Sequence, residues 1–452
     1  MKTQLARVVT QSLLMKKQKI IPKNFLWGAS TSSHQVEGNN HNQWTVWELE
    51  NALRLAKHAE KNRNPASIDK SQLNNWQDIK KQATNPENYI SGSGVEHYKR
   101  YKEDIKIAKD LNLNSLRFGI EWSRIEPNEG QWNEKQWQHY RDYINEIIEQ
   151  GLEPILNIWH WTMPVWFYEK GGFEKAKNVQ YFLRFVEKMC QELPLDRLKY
   201  IITLNEPNVY TTFSYIIGDW PPNQKSQLQG AKVYLNLVKS HKRAYKIIKK
   251  HHSHLQIGIA AQLANVQSKR PRNLVDVTAT HLMRYAWNWW FLNRIKNYQD
   301  FVGVNYYFTD YYEWLSMDLL RQGKLMPERK NPTFPMSDIG WYMEPEGLYS
   351  LTVRVWAHYK KPIMITENGL ADMHDAYRRW WIEQTIVALQ RSMSEGIDIV
   401  GYMHWSLLDN FEWAEGWWPK FGLVEVDRQN NMKRTIRPSA KYFAEQIQSF
   451  KD

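Results

Sequence analysis

From Phe25 onward, short apolar runs alternate with longer stretches in which apolar residues recur every three to four positions. The runs are Phe25 to Ser30, Ser115 to Ile120, Pro154 to His160, Tyr200 to Asn205, Ile257 to Gln262, Phe301 to Tyr307, Pro362 to Asn368 and Ile399 to Ser406. Their length and near-continuous hydrophobicity suit strands buried on both faces. Between them, Val95 to Leu111, Glu134 to Glu149, Leu228 to Lys250, Pro345 to Tyr359 and Tyr377 to Glu395 carry helical spacing. Strand and helix in eightfold alternation predict an α/β fold, a single (β/α)8 TIM barrel with long βα loops forming its mouth.

Three stretches depart from that rhythm. Residues 1–23 are basic and weakly amphipathic, with Leu5, Val8, Val9, Leu13 and Leu14 interrupted by polar residues, and are expected to form a frayed or surface-docked arm rather than an export signal. Asn51 to Gly94 is polar, with Pro65, Pro86, Gly92 and Gly94, and reads as a long irregular loop at the barrel mouth. Val275 to Asn297, rich in Trp, reads as helix covering the barrel. Neither repeats nor low-complexity linkers divide the remainder, so residues 24–452 are expected to form one domain.

Composition changes the picture in a few places. The 23 Trp and 24 Tyr are many for a soluble protein and suit flat-faced ligands such as sugars. The net charge of +12 raises the question of an anionic partner, but Lys and Arg are scattered among Asp and Glu without a basic block or a nucleic-acid module, so no nucleic acid is expected. No apolar run approaches a membrane span. A single cysteine, Cys190, on a predicted helix, and the lack of an allowed glycosylation sequon fit a reducing, cytoplasmic setting. His251, His252 and His254 lack the spacing of a metal site, so no metal is assigned.

In such barrels chemistry sits where strands end. The first run leads to His34, Gln35 and Glu37; the second holds Arg117 and ends near Glu121; the third ends in His160-Trp161. The fourth ends in Asn205-Glu206, the sixth in Asn305-Tyr306-Tyr307, the seventh in Glu367-Asn368 and the eighth in His404-Trp405. A carboxylate rarely occupies a barrel core unless paired, so Glu206 and Glu367 are the candidates for acid/base or nucleophilic work on a glycosidic bond.

Several longer stretches resemble a known family. Thr203-Leu204-Asn205-Glu206-Pro207, Ile365-Thr366-Glu367-Asn368-Gly369 and Trp405 through Trp413 resemble three signatures of glycoside hydrolase family 1, and Phe25 to Gly38 resembles its amino-terminal signature. Leu116 to Ile120 with Trp122 to Ile125, and His160 to Pro164, match further stretches. The resemblance implies a retaining β-glycosidase without a cofactor, with Glu206 as general acid/base and Glu367 as nucleophile. It implies that Arg117 and Tyr307 support the nucleophile. It further implies a sugar pocket of Gln35, His160, Asn205, Glu412, Trp413 and the stacking floor Trp405, with Trp341 as platform for the leaving group.

By the same resemblance, Glu412 stands where relatives acting on phosphorylated sugars carry a phosphate site, which implies neutral substrates: short oligosaccharides or aryl and alkyl β-glycosides. His34, Gly119 and Lys420 depart from many relatives, and Trp287 to Gln299 is shorter than usual. Transfer from the same covalent intermediate to another acceptor, and carbohydrate binding without catalysis, stand as alternatives.

Overall fold

The computed structural model describes residues 21–59, 73, 75–312 and 333–451. Eight parallel strands close into a barrel: β1 (Leu26–Ser30), β2 (Ser115–Gly119), β3 (Glu153–Trp159), β4 (Tyr200–Asn205), β5 (Gln256–Gln262), β6 (Val302–Asn305), β7 (Ile363–Gly369) and β8 (Ile399–Trp405). Each strand pairs with its neighbours in sequence, and β8 returns to β1 through Leu26 opposite Gly401. The predicted barrel is therefore the observed one. Its strands read as unbroken apolar runs because both faces are covered: every residue of β2, β4 and β7 is buried.

Two apolar layers account for that burial. Inside the barrel, Ile155, Tyr200, Ile202, Ala260, Phe301, Met364 and Met403 fill the end opposite the mouth. Outside it, the helices His97–Asp110, Glu134–Glu149, Val179–Glu192, Gln227–His251, Glu346–Tyr359, Arg378–Ser394 and Pro438–Lys451 lay their apolar stripes on the strands. Among the described residues no helix is long and apolar enough to cross a membrane.

Asn51 to Gly94 corrects the loop expectation. A helix, Gln43–Lys57, runs through Asn51, a second spans Trp76–Ala83, and a 3₁₀ turn covers Pro86–Tyr89. Asn42 starts the first helix: its Oδ1 accepts from the backbone N–H groups of Trp44 and Thr45 at 3.0 Å, while its own N–H donates to Thr45 Oγ1 at 3.0 Å. Trp44, Trp47, Glu48, Ala52, Leu55 and Ala56 then form the buried stripe. The polar composition masked this helix because Leu49 and Leu53 lie on its exposed side. Pro65 and residues 1–20 of the basic arm lie outside the described residues.

The Trp-rich segment is helical as expected, in three pieces: Leu274–Arg284, a π-helical turn Tyr285–Trp289, and Trp290–Ile295. Cys190 is buried on its helix, and burial together with the Glu187 charge pushes its thiol up to about 12. The three neighbouring histidines face different partners: His251 pairs with Glu187, His252 with the carbonyl of Cys190 and His254 with that of Leu198.

Candidate active site

Parallel pairing brings the carboxyl ends of all eight strands to one rim, and register decides which side chains meet there. Asn305 lies opposite Glu367, after an irregularity in the β6–β7 ladder, and Tyr306 N–H donates to the Glu367 carbonyl at 2.9 Å. Across the barrel, Glu206 follows β4 with φ 41°, a left-handed conformation uncommon for a residue with a Cβ. Its N–H is held by the carbonyl of Ala260 on β5 at 2.7 Å. Gly369 is required where β7 ends, because a Cβ there would lie 1.8 Å from the carbonyl oxygen of Trp405.

Arg117 joins the two halves. Fully buried on β2, it forms an ion pair with Glu367 Oε1 through Nη1 and also donates to the Thr366 carbonyl at 3.1 Å. Its Nη2 donates to Asn205 Oδ1 at 2.7 Å. The other Glu367 oxygen accepts from Tyr307 Oη at 2.7 Å. A buried carboxylate thus has a cation on one oxygen and a hydroxyl on the other, the pairing that burial of a charge requires.

Glu206 has a different environment. Its Oε1 accepts from Asn305 Nδ2 at 2.7 Å, and Asn305 Oδ1 in turn accepts from Thr366 Oγ1 at 2.6 Å. Burial, and then the negative charge of Glu367, raise the Glu206 pKa well above the usual carboxyl range; the Asn305 hydrogen bond and the more distant Arg117 charge oppose this. The two carboxyls therefore differ physically: one is ion-paired, and the other favours its proton.

The remaining expected residues line the same rim. Asn205 Nδ2 bonds His160 Nε2 at 2.9 Å, and burial with the Arg117 charge holds His160 well below the ordinary histidine pKa, hence neutral. Gln35 Nε2 donates to Asn410 Oδ1 at 3.0 Å, to the Phe411 carbonyl at 2.9 Å and toward Glu412 Oε2 at 3.4 Å. Glu412 is pushed up to about 8, by burial first and by the charges of Glu367 and Glu415 next. His160 lies 6.0 Å from the Trp405 ring and 5.8 Å from Trp413, and Trp341 packs 5.6 Å from Tyr307. All eleven expected site residues thus fall in one connected region around the two carboxyls.

Residues 17–297 and 292–451 match the model of glycosyl hydrolase family 1. The chain belongs to glycosyl hydrolase family 1. It is 27% identical over 473 residues to β-glucosidase A of Acetivibrio thermocellus, covering 95% of this chain and 98% of that one. It is 30% identical over 372 residues to a galactolipid galactosyltransferase of Arabidopsis thaliana, covering 77% of this chain but spanning only 57% of that protein. Among solved structures, a β-glycosidase from Pyrococcus horikoshii superposes with a TM-score of 0.80 at 31% identity, covering 95% of each chain. A Thermotoga maritima β-glucosidase in complex with glucoimidazole superposes at 0.79 and 26% identity, covering 96% of this chain and all of that one. This family 1 protein is accordingly a glycoside hydrolase.

Two parts of the family 1 rim received no role from the sequence. Asn305 was visible as a strand-end residue, but nothing in the order of residues indicated that its amide would meet Glu206. His34 was visible as a departure; in the structure it stacks on Trp413 at 5.4 Å and 17°, with its Nε2 paired to Glu48 at 2.9 Å. That contact joins residues 14 positions apart with a third from the far end of the chain, which linear spacing does not reveal.

Proposed function

We propose that this protein is a retaining β-glycosidase that hydrolyses O-linked β-D-glucosides and related short, non-phosphorylated β-glycosides through a covalent glycosyl-enzyme. The observation that carries the reading is the asymmetry of the two carboxyls. Glu367, ion-paired to Arg117 and oriented by Tyr307, is equipped to attack the anomeric carbon. Glu206 retains its proton, and because Asn305 donates to its Oε1, the proton is directed to Oε2 for delivery to the departing oxygen.

In the first step the bond from the anomeric carbon to the leaving oxygen breaks, an ester to Glu367 forms, and the Glu206 proton leaves with the aglycone. Esterification removes the charge that raises the Glu206 pKa, so Glu206 becomes a better base at the moment it must take a proton from water. Water attack then releases the sugar with its original configuration. Neutral His160 and Asn205 with Gln35 and Glu412 are the proposed glycone contacts, Trp405 and Trp413 the aromatic walls, and Trp341 the leaving-group platform. Glu412, its partner Gln35 and Asn410, on which Gln35 is anchored, supply no cation to balance a phosphate, which favours neutral sugars.

Kinetics test the assignment. Glu367→Ala should lower turnover of an aryl β-glucoside on the order of thousands-fold or more. Glu206→Ala should spare glycosylation from an activated leaving group, slow deglycosylation, and regain turnover with added azide. Near-normal rates in both variants would overturn the reading.

Similarity to a protein named as a galactosyltransferase favours a second outcome of the same intermediate, capture by an acceptor sugar instead of water. Product analysis with a competing acceptor separates the two. We also read residues 24–452 as one catalytic domain and the setting as cytoplasmic; the single buried thiol supports a reducing compartment.

A further inference from the structure

After β5 and again after β6 the chain contributes to a wall above the barrel. Asn265–Ser268 pairs in parallel with Thr309–Tyr312, extending the course of the two strands past the rim, and the helix Leu274–Arg284 packs on that pair. The inner side of the wall reaches the site: Trp287 Nε1 donates to Gln262 Oε1 at 2.5 Å, and its ring joins the apolar cluster that holds Tyr307 and Trp341. The helix itself is fixed through buried Asp276, Ala279 and Thr280, and Arg284 donates to the Val266 carbonyl at 2.7 Å.

The outer side of this helix and of the first residue after it, Tyr285, carries four large apolar groups. Leu274, Val275, Leu282 and Tyr285 are 81%, 50%, 60% and 47% exposed. At about 100° per residue they fall within a stripe about 100° wide and about three turns long. Scattered exposed leucines are ordinary, but four large apolar groups on one face, with exposed Thr278 and His281 between the two pairs, give that face the mixed character of an interaction surface.

Charge identifies the kind of partner. From Lys269 to Lys296 the chain carries Lys269, Arg270, Arg272, Arg284, Arg294 and Lys296 against a single acid, Asp276, which is buried and paired with Arg270 at 2.6 Å. Lys269 and Arg272 are exposed just ahead of the helix, where positive charge opposes the helix dipole, while Arg270 is held bidentately on Asp276. An apolar stripe bordered by cations is the composition of a helix lying in the headgroup layer of an anionic bilayer. We propose that the outer face of Leu274–Arg284 docks this protein on an anionic lipid surface, setting the Trp287–Trp341 side of the mouth beside amphiphilic glycosides held there. The docking stands on this helix alone; only its benefit to catalysis rests on the glycosidase reading.

Flotation of the full chain with vesicles of phosphatidylglycerol and phosphatidylcholine, against phosphatidylcholine alone, tests the proposal. Binding should require the anionic lipid, weaken as salt rises through the screening range, and fall about tenfold or more in Leu274→Ser/Leu282→Ser and in Lys269→Gln/Arg272→Gln. All variants should hydrolyse a water-soluble aryl β-glucoside as the parent does, and the charge pair keeps the test decisive if the apolar pair does not fold. Lack of binding to anionic vesicles at low salt, or undiminished binding by the charge variant, would overturn the proposal. So would a concentration-dependent dimer that Leu282→Ser dissolves without changing vesicle binding, which would make the face a contact between copies. Vesicle binding by a parent protein inactive on every β-glycoside would instead overturn the catalytic reading and leave the docking intact.

Discussion

At the residue scale, the site is governed by which carboxyl has which neighbour. Asn305 is the sharpest case, since its amide favours the ionised form of Glu206 against burial and the Glu367 charge. Asn305→Ala should therefore raise the Glu206 pKa further, and the basic limb of the kcat/KM profile should move to higher pH, with slower deglycosylation. A limb that stays or moves down would contradict this role. Glu412 offers a stability test. Its folded pKa of about 8 lies above the ordinary 4.5, so relative to an unfolded chain its contribution is fully present below pH 4.5 and is lost as pH rises toward 8. Glu412→Gln, which cannot ionise, should gain stability over the parent between pH 5 and pH 8, on the order of 3 kcal/mol, read by denaturant titration at both pH values.

At the scale of elements, strand ends were legible and connections less so. Strands declared themselves because β2, β4 and β7 are buried on both faces, and their terminal carboxylates and amides stood out against apolar runs. Gln43–Lys57 was hidden because exposed Leu49 and Leu53 blur its stripe, although its Asn-x-x-Thr start was on view. That cap does two tasks: Asn42 also donates from Nδ2 to His34 Nδ1 at 3.1 Å, behind Trp413. Asn42→Ala should cost about 1–2 kcal/mol in urea unfolding. An unchanged midpoint would show that packing alone holds this helix.

At the scale of the whole molecule, closure of the barrel converts a linear pattern into a site. Arg117 of β2, Asn205 of β4, Asn305 of β6 and Glu367 of β7 are as much as 250 residues apart in sequence and bonded to one another in space. The order of strands made a common rim legible; which residue touches which depended on register shifts at β6 and β7 that no periodicity encodes. Arg117→Gln should thus do more than impair catalysis: leaving a buried carboxylate without its cation should cost about 3–5 kcal/mol, measured by thermal or denaturant unfolding. The central claim, that Glu367 becomes covalently bound to sugar, is tested most directly by mass spectrometry after reaction with an activated 2-deoxy-2-fluoro-β-glucoside. The account predicts one fluoroglucosyl group per chain, located on Glu367 and missing in Glu367→Gln; a label on another residue, or an active protein that yields only inverted product and no label, would contradict it.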